Sequence, residues 1–276
     1  MSSTVYELQE MVAHRLPGKV NLYPAINNAI RLIADHLFTR RSRMIVSELS
    51  VKFVTGEASA SLPSDFWGLV EYPHQYSKTY QLKPLPSREI GLNNENEGIP
   101  EYFEIKDDTI YVYPMAGAAW TLIAEDLSFE LASGHVHSVA GELDDSGYLA
   151  EGVYVTVEDS TSNDATLTVS STATTTLIMS VDDTLVDESA GEEITLSAGP
   201  IIEGDYYAKP TKLTTLTDSI PFNEEFDWAI AEATIMMHTQ GNVQAFIIDQ
   251  VNKKLPYRDL RAQSRVMDIK KWHRRW

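Results

Sequence analysis

Two histidines one residue apart, His135 and His137, form the sharpest metal-ligand pair in the chain. On a β-strand the i, i+2 spacing projects both imidazoles from one face, as a two-histidine site for zinc or a similar ion requires. The spacing specifies no third ligand, and Ser133-Gly134 reads as a loop, so the alternative is a pair of surface histidines. Other signatures of chemistry are missing. There is no HExxH and no GxSxG, and Gly18-Lys19 lacks both the upstream Gly and the following Ser/Thr of a P-loop. Asp144, Asp145 and Gly147 fall at the wrong spacing for an EF-hand loop. Carboxylates are so numerous that some pair always resembles an acid/base couple, and an exposed acidic face explains them better. The sequence predicts no catalytic residue and no cofactor, and an acidic hydrolase ranks last among the readings.

The C-terminus carries a different chemistry. From Val251 to Trp276 there are nine basic residues against Asp259 and Asp268, a local charge of +7. Arg258, Arg261 and Arg265 recur at steps of three and four on one helical face, while Val266, Ile269, Trp272 and Trp276 fall on another. One reading is an amphipathic helix packed on its own domain with a solvated basic side. The other is a docking arm over residues 252–276, because Arg and Trp dominate binding hot spots and an acidic socket would complement them. Its partner-binding set is Arg258, Arg261, Arg265, Lys270, Lys271, Trp272, Arg274, Arg275 and Trp276. DNA contact is a third and weaker reading on so acidic a chain.

The charge is unevenly spread. Between Gly117 and Ala208 there is no Lys or Arg, yet 18 of the 40 acidic residues lie there. The rest of the chain holds 22 acids against all 22 bases, so the net charge of −18 belongs to one contiguous third. Such a step in composition separates an acidic insert from a charge-balanced host. A pI near 4.7 excludes a general nucleic-acid coat, which needs clustered positive charge. The 276 residues, 43% hydrophobic, suit about two domains. Cysteine is absent, which excludes disulfides and thiolate metal sites. MSSTVYELQEMVAHRL lacks the plan of a signal peptide, and no apolar run approaches the ~18 residues of a membrane span. The expectation is a protein assembled in the cytoplasm with no membrane partner.

These groups must be positioned by helices at both ends and strands between. Val5, Leu8 and Val12 mark a first helix that ends at Leu16-Pro17-Gly18, and Ile26, Ile30, Ile33 and Leu37 mark a second from about Pro24. Its end carries Arg40, Arg41 and Arg43, which complement the helix dipole. Leu49, Val51 and Phe53 alternate as in a strand, and LPSDFW (62–67) supplies a turn with aromatic anchors. GIPEYFEIKDDTIYVYP reads as a hairpin turning at Lys106-Asp107-Asp108, and Trp120–Phe129 as one further strand. From Leu131 to Gly199, runs such as Val153/Val155/Val157 and Leu177/Met179/Val181 alternate between polar breakers. That pattern predicts an inserted antiparallel sandwich or barrel over 131–199. Residues 1–130 and 200–276 are then the host. IIEGDYYAKP returns to a host strand, Asn223 is an expected N-cap, and Phe226, Ile230, Ala233 and Met237 form a helical stripe. Helices around Val243–Val251 and from about Pro256 complete the chain. The fold class is α+β: a helical host with a small antiparallel β part and an inserted all-β domain.

The host segments resemble the head-to-tail adaptors of tailed bacteriophages, the podovirus type in particular. In that family a "YF-I-D-IY-YP" hairpin is followed by a "YY-KP-L" strand and loop and then an aromatic-rich helix. The matching residues are Tyr102, Phe103, Ile105, Asp108, Ile110, Tyr111, Tyr113 and Pro114, then Tyr206, Tyr207, Lys209, Pro210 and Leu213, with FNEEFDWAIAEATI as the helix. The acidic insert departs from the compact family pattern. The resemblance implies a virion structural protein at the head–tail junction, forming a homo-oligomeric ring, commonly a dodecamer, beneath the portal protein. Its helices would surround the DNA channel, its C-terminal segment would reach the portal, and it would seat the tail nozzle or tail fibre proteins. DNA would pass without sequence-specific binding. Acidic inserts crowded around DNA would repel it over a Debye length of ~8 Å, so the insert is expected to project outward. The reading from another class is a decorating or adhesive module that binds a host glycan through the acidic β domain.

Overall fold

The computed structural model describes residues 3–18, 21–78, 80–86, 97–141, 143, 147–180, 183–239 and 241–254. The fold is α+β. The helices are α1 (Val5–Ala13), α2 (Tyr23–Thr39), α3 (Asp227–His238) and α4 (Val243–Lys254). The first strands are β1 (Val46–Lys52), β2 (Ser59–Ser61), β3 (Phe66–Leu69), β4 (His74–Gln75), β5 (Lys83–Pro84), β6 (Glu97–Gly98), β7 (Tyr102–Lys106), β8 (Thr109–Tyr113) and β9 (Met115–Ala116). They are followed by β10 (Trp120–Ala124), β11 (Leu127–Glu130), β12 (His135–Ser138), β13 (Tyr154–Glu158), β14 (Ala165–Ala173), β15 (Thr176–Met179), β16 (Ile194–Ala198) and β17 (Ile201–Ala208). The described residues group into two units. One draws on Met1–Ser47, Asp65–Val70 and the chain from Tyr206; the other on Glu48–Ser64 and Glu71–Asp205.

The first unit is a helical bundle. Val5, Leu8 and Val12 of α1 are buried at their three- and four-residue spacing, as are Ile26, Ile30, Ile33 and Leu37 of α2. A capping box opens α1: the Thr4 amide donates to Glu7 Oε2 at 2.7 Å, and the Glu7 amide donates to Thr4 Oγ1 at 3.4 Å. Pro24 sits in the first turn of α2, where its missing N–H costs little. Helix α3 touches α1, α2 and α4. The expected stripe through Ile230 and Ala233 widens to take in Ala229, Ala231, Thr234 and Ile235, because a helix surrounded by three others has almost no wet face. Asn223 holds a cap position, but of the 3₁₀ turn Glu224–Phe226, and its side chain makes no capping bond. The start of the chain is pinned by backbone: Ile220 N donates to Ser3 O (2.8 Å) and Val5 N to Asp218 O (3.1 Å). Asp218 in turn accepts from the Thr215 hydroxyl and from the amides of Thr214 and Thr215, which hold its carboxyl down at about 2.

The second unit is all β. The β7–β8 hairpin pairs Tyr102 with Tyr113 and Ile105 with Ile110 across a two-residue turn in which Asp107 is left-handed (φ 53°). Beyond it lies a seven-stranded antiparallel sheet in the order β10-β16-β13-β14-β15-β12-β11. Strand β14 serves two neighbours: Ala165–Thr168 pairs with β13, and Val169–Ala173 pairs with β15, with an irregularity between Val169 and Ser171. The irregularity divides the sheet into halves that share one core, with Val155, Val157 and Leu196 from one half and Phe129, Val136 and Leu177 from the other. The expected single strand Trp120–Phe129 is two strands. β10 pairs with β16 and β11 with β12, so the chain crosses between the halves at Glu125-Asp126.

In the stretch that itself carries no Lys or Arg, several acidic residues cap loops. Glu188 accepts from Ser160 Oγ (2.7 Å), Asn163 Nδ2 (2.7 Å) and the amides of Thr161 (3.0 Å) and Ser162 (3.3 Å). Burial opposes its ionisation, but these donors together hold its carboxyl below the usual range. Asp126 accepts from Ala140 N and Ser138 Oγ, Asp183 from Thr168 N, and Asp187 from Leu131 N.

Candidate functional site

The DFW end of LPSDFW and the YY-KP-L segment, some 140 residues apart, meet in the helical unit. The Tyr206 hydroxyl donates to Asp65 Oδ1 at 2.8 Å, and the Lys209 amide donates to Asp65 O at 2.6 Å. Phe66 stacks on Tyr206 with centroids 5.6 Å apart. Burial, and then the Asp65 carboxylate, push the Tyr206 phenol upward. Tyr207 pairs with Gly68 in the β3–β17 register and turns its edge to Phe38 of α2 (5.4 Å), which lies flat on Trp67 at 4.4 Å. Such aromatic pairs add about 0.5–1.5 kcal/mol beyond area burial.

The chain after Pro210 then runs along α2 and is fastened there from both sides. Asn27 Nδ2 donates to Leu213 O (3.0 Å), and Leu213 N donates to Asn27 Oδ1 (2.8 Å). Leu213 inserts into the core beneath. What remains open is a groove of ≈ 950 Å³ whose lining includes Tyr23, Pro24, Ile30, Trp67, Pro210 and Thr211. Three cations border it, Arg31, Lys209 and Lys212, against the single carboxylate of Asp35, which lies 3.8 Å from Arg31. An apolar floor with a basic rim is suited to holding a segment of another chain. No His is among the lining residues, and no pair of them offers a nucleophile with its base.

The sequence-predicted site residues fall elsewhere. Arg258, Arg261, Arg265, Lys270, Lys271, Trp272, Arg274, Arg275 and Trp276 lie outside the described residues. The first residues of the 252–276 arm continue α4: Asn252 Oδ1 is 3.2 Å from His36 Nε2, Lys253 pairs with Asp249 at 2.5 Å, and Lys254 lies 5.9 Å over the Phe226 ring. His135 and His137 are brought together on β12 with ring centroids 5.3 Å apart. Glu130, which spacing did not single out, stands opposite His135. A hairpin reading of Leu127–Ser138 would have found it. Asn27, Arg31 and Lys212 gave no local signal, because their role depends on a pairing set by tertiary structure.

No curated protein matches the chain. The family model described as SU10 adaptor protein matches residues 3–264, a span that takes in the acidic stretch as well as its flanks. With nearly its whole length matched, the chain belongs to the SU10 adaptor protein family, a family of phage structural adaptors.

Proposed function

We propose that this protein is the ring-forming adaptor between the portal and the tail nozzle or fibres of a phage virion, with twelve copies continuing the DNA channel. The observation that carries the reading is the groove between α2 and the 209–214 loop. It is basic on a chain of net charge −18, and Lys209, Pro210 and Leu213 of the adaptor resemblance are among its lining residues. In this reading the groove receives an acidic segment of a virion partner. The basic-aromatic residues from Arg258 to Trp276 dock on the portal, and the base-free β stretch projects away from the channel. DNA passes without sequence readout, and assembly takes place in the host cytoplasm.

Exposed apolar side chains support copy-to-copy contact: Trp228 is 51% exposed and Tyr6 54%. The test is light scattering and electron microscopy of the purified protein, alone and with portal. A ring is expected in at least one condition, and a monomer in both overturns the reading. Truncation after Lys254 leaves α4 whole, so loss of portal binding on removing 255–276 would report the arm itself. Charge reversal by Arg31→Glu and Lys212→Glu should weaken partner binding while leaving the bundle folded. Retained binding would remove the groove from the proposal.

A further inference from the structure

Strand alternation decides which way the β11–β12 hairpin faces. Phe129 and Val136, opposite one another, are buried in the sandwich core, so their neighbours Glu130, His135 and His137 share the outer face. Glu130 is paired directly with His135, and His137 lies two residues on. The turn that makes this register is Ser133-Gly134, with Gly134 left-handed (φ 66°) and its amide donating to Glu130 O at 3.0 Å. The loop that seemed to argue against a site is what delivers a third ligand to it.

One ligand atom from each of the three side chains can be chosen so that all lie within 4.8 Å of one another. His137 Nε2 is 3.6 Å from Glu130 Oε2. Two ligands of a tetrahedral zinc ion with bonds of ~2.0–2.1 Å sit about 3.3–3.4 Å apart. This pair is therefore nearly set, and the half-exposed His135 closes the remainder by a side-chain rotation. The two imidazole planes meet at 75°, with centroids 5.3 Å apart.

Neighbours orient both flanks. Thr176, opposite His137 on β15, places its hydroxyl 3.3 Å from Nδ1 and so leaves Nε2 to face Glu130. The Ser133 hydroxyl donates to Glu130 Oε2 and so orients that carboxyl on the other flank. A surface ion pair would account for His137 and Glu130 but not for His135 on the same face. Two imidazoles and one carboxylate suit zinc, nickel or copper rather than calcium or magnesium, which prefer all-oxygen shells. The base-free surroundings add an attractive field for any cation.

We propose that Glu130, His135 and His137 bind one divalent transition-metal ion of the zinc type, leaving a coordination position open to a ligand from outside the chain. The ion ties β11 to β12 beside the turn that joins them.

The test uses the full chain, stripped with chelator and titrated calorimetrically with zinc chloride alone. One zinc per chain is expected. His137→Ala and Glu130→Gln should each weaken binding by more than about tenfold, and Thr176→Val by about tenfold through loss of ring orientation. His74→Ala, at another His–Glu contact of this unit, should leave affinity unchanged. Proton NMR of the unsubstituted protein should show zinc moving only two imidazole resonances, those lost in the two single His→Ala variants. The proposal is overturned by the absence of saturable binding to the unsubstituted protein. It is equally overturned by undiminished binding in the His135→Ala/His137→Ala double variant, or by zinc shifting a different set of histidines.

Discussion

The helical unit and the base-free stretch of the β unit differ in how they place most of their charges. In the helical unit, apolar stripes close on α3, and charges meet in pairs such as Arg15 with Glu232 and Asp249 with Lys253. In the β unit the sequence offers no base between Gly117 and Ala208, and carboxylates are absorbed as acceptors for amides and hydroxyls. The difference teaches that a strongly acidic segment need not be loosely folded. A carboxylate that gathers three or four N–H and O–H donors organises a loop as firmly as an ion pair would, and hydrogen bonds to a charged group contribute about 1.5–3 kcal/mol.

The largest effect should come from the bundle core. Phe226→Ala removes a fully buried ring and should cost about 3–5 kcal/mol. Calorimetry should show one transition falling while the β unit's stays in place; if both fall together, the contrast between the units does not extend to their unfolding. Next is Glu188→Ala, which strips four donors of their acceptor and should cost about 2–3 kcal/mol at neutral pH. The folded carboxyl lies below its unfolded value, so its contribution is present above about pH 4.3 and fades as pH falls through the folded value. Denaturation at neutral and acid pH should therefore show the variant and the parent converging in acid.

Asn27→Ala should cost about 1–2 kcal/mol and release the 209–214 loop. Hydrogen exchange at the Leu213 amide reads this directly, and protection that survives would mean the aromatic stack alone fixes the loop. The smallest effect is Asp227→Asn. Burial raises the Asp227 carboxyl against the help of the Ser3 hydroxyl, with Glu224 and Glu7 adding to the rise, and its Oδ1 has no hydrogen-bond partner among the described residues. A raised acid contributes stability below its unfolded value, about pH 3.9, and loses it as pH rises through the folded value. The variant should gain in Tm at neutral pH and lose the advantage in acid. Acid thus acts on the Asp227 and Glu188 sites in opposite directions, and a gain that persists at low pH would erase that contrast.

Legibility followed the range of the interaction. Val5, Leu8 and Val12, the α2 stripe and the Ile105–Ile110 hairpin were readable because helix and strand periodicities are local. Trp120–Phe129 read as one strand because alternation carries no sign of a change in pairing partner at Glu125-Asp126. The widening of the α3 stripe was hidden because alanines read as filler until three helices surround them. For the groove, each motif residue was named, yet nothing local tells that Asp65 waits for Tyr206 or that Asn27 holds Leu213. The metal-ligand pair was visible, and its third member was concealed by register alone.

The helical unit is discontinuous in sequence, and this matters during synthesis. Helices α1 and α2 leave the ribosome first, with Ile26, Ile30, Ile33 and Leu37 bare, while their partners wait beyond Tyr206. At ~5–20 residues per second the interval is on the order of ten to thirty seconds. The β unit is finished within that interval. The last-made helices, α3 and α4, therefore act as the closing step, and a nascent chain stalled short of α3 would present the α2 stripe without the partners that bury it.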